Sequence, residues 1–238
     1  MTYVMPDIHG CYDEYLSMLE KISFSDSDTL YIVGDVIDRG KEPVMCLLEV
    51  MAAPNIHMLI GNHEHMMLTA FASDFAADDL EHWCEQNGGT ITLTQLHSAF
   101  EPSPEKLGKT ISYVADLPYY LEVEVNDKKY LLVHAGIRIN KSRGKSQQTL
   151  EEILKVQTQM DMVWMREEFY DRKALPTHTI IFGHTPSIYL NRSSFGIWHD
   201  KRHKDKICID GGCVYGGKLN CLRLDDMEEF SVDSSGRR

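Results

Sequence analysis

The chain has 238 residues, 43% of them hydrophobic and 25% charged, with a formal net charge of −12. That length suits one compact α/β domain, and so large an apolar fraction excludes a disordered tail or a fibre. The acidic balance argues against a broad nucleic-acid-binding face.

Thr2 to Met5 is the first of six short apolar, β-prone runs, and Pro6-Asp7-Ile8-His9-Gly10 turns the chain directly after it. Tyr12, Tyr15, Leu16, Leu19 and Ile22 then recur at the spacing of an amphipathic helix. Thr29 to Val33 leads into Gly34-Asp35-Val36-Ile37-Asp38-Arg39-Gly40, and Val44, Leu47, Leu48 and Met51 give the next helical face. Ile56 to Ile60 precedes Gly61-Asn62-His63-Glu64. From about Asp78 to Asp116 the pattern is helical and polar, broken at Pro102 and Pro104, with no linker-like flanks. It reads as an insertion beside the sheet rather than a second domain. Tyr119 to Val125 and Lys128 to Val133 flank Asn126-Asp127, which predicts a hairpin opening an antiparallel, second-sheet half. Tyr130 to Val133 runs into His134-Ala135-Gly136, Thr179 to Phe182 into Gly183-His184-Thr185-Pro186, and Lys206 to Ile209 into Asp210-Gly211-Gly212. Short strands follow Pro186, including Asn220 to Leu224. Ser231 to Arg238 has little apolar content and is expected to fray. The expected organisation is a single catalytic domain over 1–230 with a flexible tail over 231–238.

Alternating strand and helix predicts parallel β-α-β units, and such sheets bind ligands outside the carboxyl ends of their strands. Asp7, His9, Asp35, Asn62, His134 and His184 all stand at such ends. Turn-favouring residues and helix caps are the bland account, but caps do not explain histidines in register with them. Carboxylate, amide and imidazole donors without a thiolate suit Mn²⁺, Fe²⁺ or Zn²⁺ rather than a structural zinc site. Six donors exceed what one tetrahedral ion needs. Two ions sharing a bridging carboxylate would use them all, a recurrent arrangement for phosphate esters.

Asp7-Ile8-His9, Gly34 to Gly40 and Gly61-Asn62-His63-Glu64 resemble the D-x-H, G-D-x-x-D-R and G-N-H-E signature of the phosphoprotein phosphatase family of binuclear metallophosphoesterases. His134-Ala135-Gly136 and Gly183-His184-Thr185 resemble its two later histidine motifs, so the likeness spans residues 7 to about 186. It is closest to the bacterial and phage branch that includes the phosphatase of phage lambda. One departure is Pro6, where the family usually has glycine. The resemblance implies an α/β fold with a central β-sandwich of two mixed sheets flanked by helices. It implies that Asp7 and His9 bind a first metal, that Asp35 bridges, and that Asn62, His134 and His184 hold a second. The ions are expected to be Mn²⁺, with Fe²⁺ or Zn²⁺ as alternatives, and a hydroxide between them would attack phosphorus in line. His63 would protonate the leaving oxygen, with Asp38 orienting it and favouring the imidazolium. Arg39 would clamp phosphate through its planar fork, and Arg166, in a Trp164-Met165-Arg166 segment like the family's W-x-R, would supply a second arginine.

The implied activity is dephosphorylation of phosphoserine and phosphothreonine, with phosphotyrosine as a further substrate. The nearest rival is dinucleoside polyphosphate hydrolysis, whose enzymes share the metal motifs but tend to replace the acidic residue corresponding to Asp38. A binding module that has lost its chemistry is a third reading, and it would be expected to lack a ligand or the acid. His57, His65, His82, His97, His178, His199 and His203 match no motif position and read as structural or solvated, with His178, His199 and His203 in loops or turns. Glu64 reads as a partner of the site or a first-turn acid. The clusters Arg138, Lys141, Arg143, Lys145 and Lys201, Arg202, Lys204, Lys206 read as solvated loops, and Trp83, Trp164 and Trp198 as packing. Cys11, Cys46, Cys84, Cys208, Cys213 and Cys221 include no C-x-x-C pair and read as free thiols of a reducing compartment. No apolar run approaches a membrane span. The start is too short for a secretory segment before Asp7. The expectation is a cytoplasmic enzyme with phosphoprotein partners and neither nucleic acid nor membrane; the oligomeric state stays open.

Overall fold

In the computed structural model, which describes residues 1–101, 103–139, 149–175 and 177–236, all six predicted runs become strands. β1 (Thr2–Met5), β2 (Thr29–Ile32) and β3 (Ile56–Met58) pair in parallel, with α1 (Tyr12–Lys21) and α2 (Pro43–Ala52) as the crossovers. α3 (Asn62–Ala72) begins directly after Gly61. The insertion forms α4 (Ala77–Leu80), a π-helical turn over Glu81–Glu85, α5 (Thr90–Phe100) and α6 (Pro104–Ala115). Pro104 opens α6, where its missing N–H is an orphan in any case; Pro102 lies outside the described residues.

The chain then builds a second sheet. β4 (Tyr120–Val125) and β5 (Lys128–Val133) form the expected hairpin, and Asn126 and Asp127 take φ of 50° and 61°, the left-handed pair that a two-residue turn needs. α7 (Leu150–Leu154), α8 (Gln159–Trp164) and α9 (Glu167–Tyr170) lead to β6 (Thr179–Phe182). α10 (Ile188–Asn191), β7 (Trp198–His199), β8 (Lys206–Cys208), β9 (Lys218–Arg223) and β10 (Glu229–Asp233) follow. The sheet orders are β10-β9-β1-β2-β3 and β4-β5-β6-β8-β7. Only β4 and β7 run antiparallel in the second sheet, while β5, β6 and β8 are parallel. The antiparallel half expected after the hairpin is therefore a mixed sheet.

Side chains alternate between the two faces of each strand. Val4 of β1 and Ile181 of β6 point into the sandwich with Val33, Tyr130, Leu132, Ile207 and Leu222. Tyr3 and Met5 face the other way, under α1, α2 and α3, and Ile180 and Phe182 lie under the helices that precede β6. The result is two sheets face to face with helices outside both.

Three expectations need correction. The tail does not fray from Ser231: β10 pairs with β9 through Asp233, and Ser235 N–H donates to a Glu14 oxygen at 2.7 Å. Backbone pairing needs no apolar side chain, so composition missed it. Lys206 is not a solvated loop residue but lies in β8, fully buried, with its ammonium 3.1 Å from Asp200 Oδ2. His199 is a strand residue rather than a loop residue. Of the first basic cluster, Arg138 pairs with Asp161 at 2.6 Å, and Lys141, Arg143 and Lys145 lie outside the described residues. Among the described residues, no helix is long and apolar enough to cross a membrane.

Candidate metal centre

The loops that follow β1, β2, β5, β6 and β8 meet at one end of the sandwich, held by backbone hydrogen bonds. Ile8 and His9 donate to Asp35 O at 3.0 and 2.9 Å, and Gly183 donates to His134 O at 2.8 Å. His184 N–H donates to both oxygens of Asp7 at 3.0 and 3.1 Å. His9, Asp35, Asp38, Arg39 and His184 all take positive φ, between 47° and 72°. Each such residue costs about 1–3 kcal/mol, and strain of this kind gathers at working sites. Gly61 and Gly183 are required by close approach: a Cβ there would sit 2.1 Å from Asp35 Oδ1 and 2.2 Å from Asp7 Oδ1 respectively.

The donors converge. Asn62 Oδ1 lies 2.9 Å from His134 Nε2 and 2.8 Å from His184 Nδ1. Asp35 Oδ2 is 3.4 Å from His134 Nε2 and 3.5 Å from His9 Nε2. His9 and His134 each give Nδ1–H to a carbonyl, Ile37 O and Val33 O, both at 2.8 Å. That bond turns each Nε2 lone pair into the site, as metal-ligating histidines are held. Asp35 Oδ1 also accepts His63 N–H at 3.0 Å, which seats the carboxylate at the positive end of α3.

Crowding so many buried acceptors perturbs every one of them. Burial and then the Asp210 carboxylate hold Asp7 well above the usual carboxylate range; burial and then Asp7 do the same for Asp35. Burial pushes His134 down to about 3 and holds His9 and His184 well below an ordinary imidazole. A divalent cation among these donors would pull the carboxylates back down and hold the histidines neutral, the form in which each can ligate. Asp35 belongs to two tight groups, one with His134 and His184 and one with His9 and His63. The donor set therefore fits two ions flanking Asp35. Asp7 stands outside both tight groups, tied to the His184 backbone.

The two arginines and the Asp38–His63 pair are placed separately. Arg39 Nη1 donates to His9 Nε2 at 2.6 Å, and its guanidinium lies 5.4 Å from the Tyr215 ring centre. Arg166 Nη1 donates to Thr185 Oγ1 at 3.0 Å. Both arginines line a cavity of about 260 Å³ with Asn62, His63, Trp164 and His184. His63 Nδ1–H donates to Asp38 Oδ2 at 2.6 Å. Its Nε2 is buried, without a partner among the described residues, and lies 3.9 Å from Asp35 Oδ2. Burial raises Asp38 to about 7 and lowers His63 well below its usual value. In the protein alone, burial therefore works against the imidazolium that Asp38 is expected to favour. Both side chains are fully dry, and desolvation outweighs their attraction.

Several residues of the site were not legible in the motifs. Trp83 Nε1 donates to Asp38 Oδ2 at 2.9 Å and Thr92 Oγ1 to Asp38 Oδ1 at 2.6 Å. The helical insertion therefore supplies both supports of the dyad, and Trp83 does more than pack. Glu64, by contrast, was read from its motif as a partner of the site, and it accepts the N–H groups of Asp35, Val36 and Gly61, each at 2.9 Å, and so locks the loop after β2 to the start of α3. Asp210 is buried, accepts Gly212 N–H at 2.7 Å and is raised by burial to about 6. Its sequence signal was the same as that of the chosen residues: an acidic residue ending a strand.

Comparison with known proteins agrees with this geometry. Residues 2–229 match the family described as calcineurin-like phosphoesterase. Serine/threonine-protein phosphatase 2 of Salmonella typhimurium is 30% identical over 229 residues, covering 93% of this chain and 92% of its own. The symmetrical bis(5'-nucleosyl)-tetraphosphatase of Salmonella paratyphi C is 24% identical over 285 residues, covering all of this chain and 95% of its own. The crystal structure of a metallophosphoesterase from Sphaerobacter thermophilus shares the fold, with a TM-score of 0.58 at 14% identity over 99% of this chain and 89% of that one.

Proposed function

The chain belongs to the calcineurin-like phosphoesterase family, and from that premise we propose that it is a phosphomonoesterase acting on phosphoserine and phosphothreonine in proteins, with phosphotyrosine as a further substrate. The observation that carries this reading is the Asp38–His63 dyad, closed at 2.6 Å and supported from the insertion by Trp83 and Thr92. A serine or threonine alkoxide is a strongly basic leaving group and needs a proton, whereas a nucleotide phosphate leaves without one. A buried, doubly supported acid is chemistry that the first substrate demands.

Divalent ions held around Asp35 would supply Lewis acidity and a lowered pKa for water. We assign Asp7 and His9 to one ion, Asn62, His134 and His184 to the other, and Asp35 to both; Mn²⁺ suits the mixed nitrogen and oxygen donors. The protein's own groups do the rest. Arg39 leaves His9 Nε2 for the incoming phosphate, and Arg166 reaches it from the lining of the same cavity. The phosphate's negative charge beside His63 offsets the burial that depresses its pKa, so Nε2 gains the proton that it hands to the leaving oxygen. Asp38 keeps the ring oriented throughout. The free cysteines among the described residues support the reducing, cytoplasmic setting where phosphoproteins occur.

Cleavage of dinucleoside tetraphosphates is the second reading, favoured by the 24%-identical relative that matches the whole chain. A non-catalytic module is disfavoured, because such a protein would be expected to lack a donor or the Asp38–His63 pair, and this chain keeps the six donor residues, that pair and both arginines. The test is kcat/KM for phosphoserine peptides against diadenosine tetraphosphate at equal Mn²⁺ and ionic strength. The peptides should win. A large reversal would transfer the assignment to nucleotide hydrolysis.

A further inference from the structure

A second donor cluster lies at the start of α1, outside the centre described above. The sulfurs of Cys11 and Cys213 and a carboxylate oxygen of Glu14 lie within 4.8 Å of one another. Cys11 and Glu14 are one helical turn apart, so their side chains share a face. Cys213 arrives from the far end of the chain, on the short helical turn Cys213–Tyr215 after Gly212. First-turn acids are ordinarily solvated and complement the helix dipole. Asp13 is such a residue, but Glu14 is 6% exposed, beside two sulfurs. Cys11 and Glu14 border a cavity of about 670 Å³, which meets the catalytic cavity at Arg39 and Tyr215.

The donor chemistry differs from that of the catalytic centre, which has no sulfur. Two thiolates and one carboxylate select a softer ion, and three protein ligands with an open fourth position is a familiar zinc arrangement. Bonds of about 2.3 Å to sulfur and 2.0–2.2 Å to oxygen place tetrahedral donors roughly 3.5–3.8 Å apart. The three side chains would therefore close from 4.8 Å by about 1.0–1.3 Å at most, within the reach of small side-chain adjustments.

We propose that Cys11, Glu14 and Cys213 form a third cation site for one thiophilic divalent ion such as Zn²⁺, with its fourth position open to the adjoining cavity. Each thiol loses its proton to solvent as the metal–sulfur bond forms. A bound ion ties the start of α1, two residues after His9, to the turn that carries Tyr215. It thereby fixes the aromatic platform beneath Arg39.

Cobalt separates this site from the catalytic one, because only a thiolate ligand gives intense sulfur-to-cobalt charge-transfer absorption. Metal-stripped protein, held reduced by a phosphine, is titrated with Co²⁺ alone. The expected result is a near-ultraviolet charge-transfer band that saturates at a single ion per chain and is displaced by Zn²⁺. Cys11→Ser and Cys213→Ser should each abolish it, Cys84→Ser should keep it, and Glu14→Gln should weaken cobalt binding by about tenfold or more. A parallel measurement needs no variant: Zn²⁺ should protect Cys11 of the wild-type protein from alkylation. Absence of the band at saturating Co²⁺, a band that survives Cys213→Ser, or unchanged alkylation with Zn²⁺ would each overturn the assignment.

Discussion

Replacing His63 with Asn separates the proton from the metals. Asparagine still offers an N–H to Asp38 but has no proton to give at the position of Nε2. General acid catalysis is typically worth about 10²–10⁴-fold, which at 1.36 kcal/mol per decade is roughly 3–5 kcal/mol of barrier. On a phosphoserine peptide the variant should lose kcat by that order. On p-nitrophenyl phosphate, whose aryl oxygen leaves without help, the loss should be about tenfold or less. The structure sets a competing possibility, because His63 Nε2 lies 3.9 Å from Asp35 Oδ2 and belongs to a tight donor group with His9. If His63 were a ligand, its loss would strip metal and depress both substrates alike. The assay is therefore steady-state kinetics on both substrates beside metal content by elemental analysis. Equal losses on the two substrates together with lost metal would refute the assignment of His63 as acid.

Three further outcomes follow from the same geometry. Asp35→Ala removes the one carboxylate common to both donor groups, so it should cut metal content at both positions and abolish turnover, and full metal occupancy in that variant would contradict a shared ligand. Trp83→Phe deletes a 2.9 Å hydrogen bond to Asp38; a bond to a charged acceptor is worth about 1.5–3 kcal/mol, so phosphoserine turnover should fall about tenfold or more with metal content unchanged. Metal-stripped protein should lose Tm as pH rises from about 6.5 to 8.5, with added Mn²⁺ flattening the profile. The sign comes from two opposed sets of groups. Asp38 and Glu64, raised by burial to about 7, and Asp7 and Asp35, also held well above the usual carboxylate range, contribute stability that is full below about pH 4 and lost as pH climbs through their folded values. The depressed histidines of the site contribute stability that is complete above about pH 6.5, so only the carboxylates act in that window. A Tm that rises across it would refute the reasoning.

The residues of the centre were legible because their signal is local. A strand of four or five apolar residues, a turn and one Asp, Asn or His are neighbours in the chain, and strand-end placement follows from that order alone. The six candidate donors were read this way, as were α1, α2 and the Asn126-Asp127 hairpin, whereas His63, Asp38, Arg39 and Arg166 were singled out by the likeness of their segments to family motifs. The downward pull of burial on His63 was not legible, because it depends on how dry the pair becomes once the whole fold has closed over it. Nor were Trp83 and Thr92, which reach Asp38 from 45 and 54 residues away along the insertion. Cys213 meeting Cys11, and β10 pairing with β9 so that Ser235 lies against Glu14, 221 residues distant, are of the same kind. Sequence patterns report which face of an element is apolar and where the chain turns. Which distant side chain fills the remaining hydrogen bond is decided only by packing the two sheets and the insertion together, since a buried polar group accepts whatever partner the closed fold brings within reach.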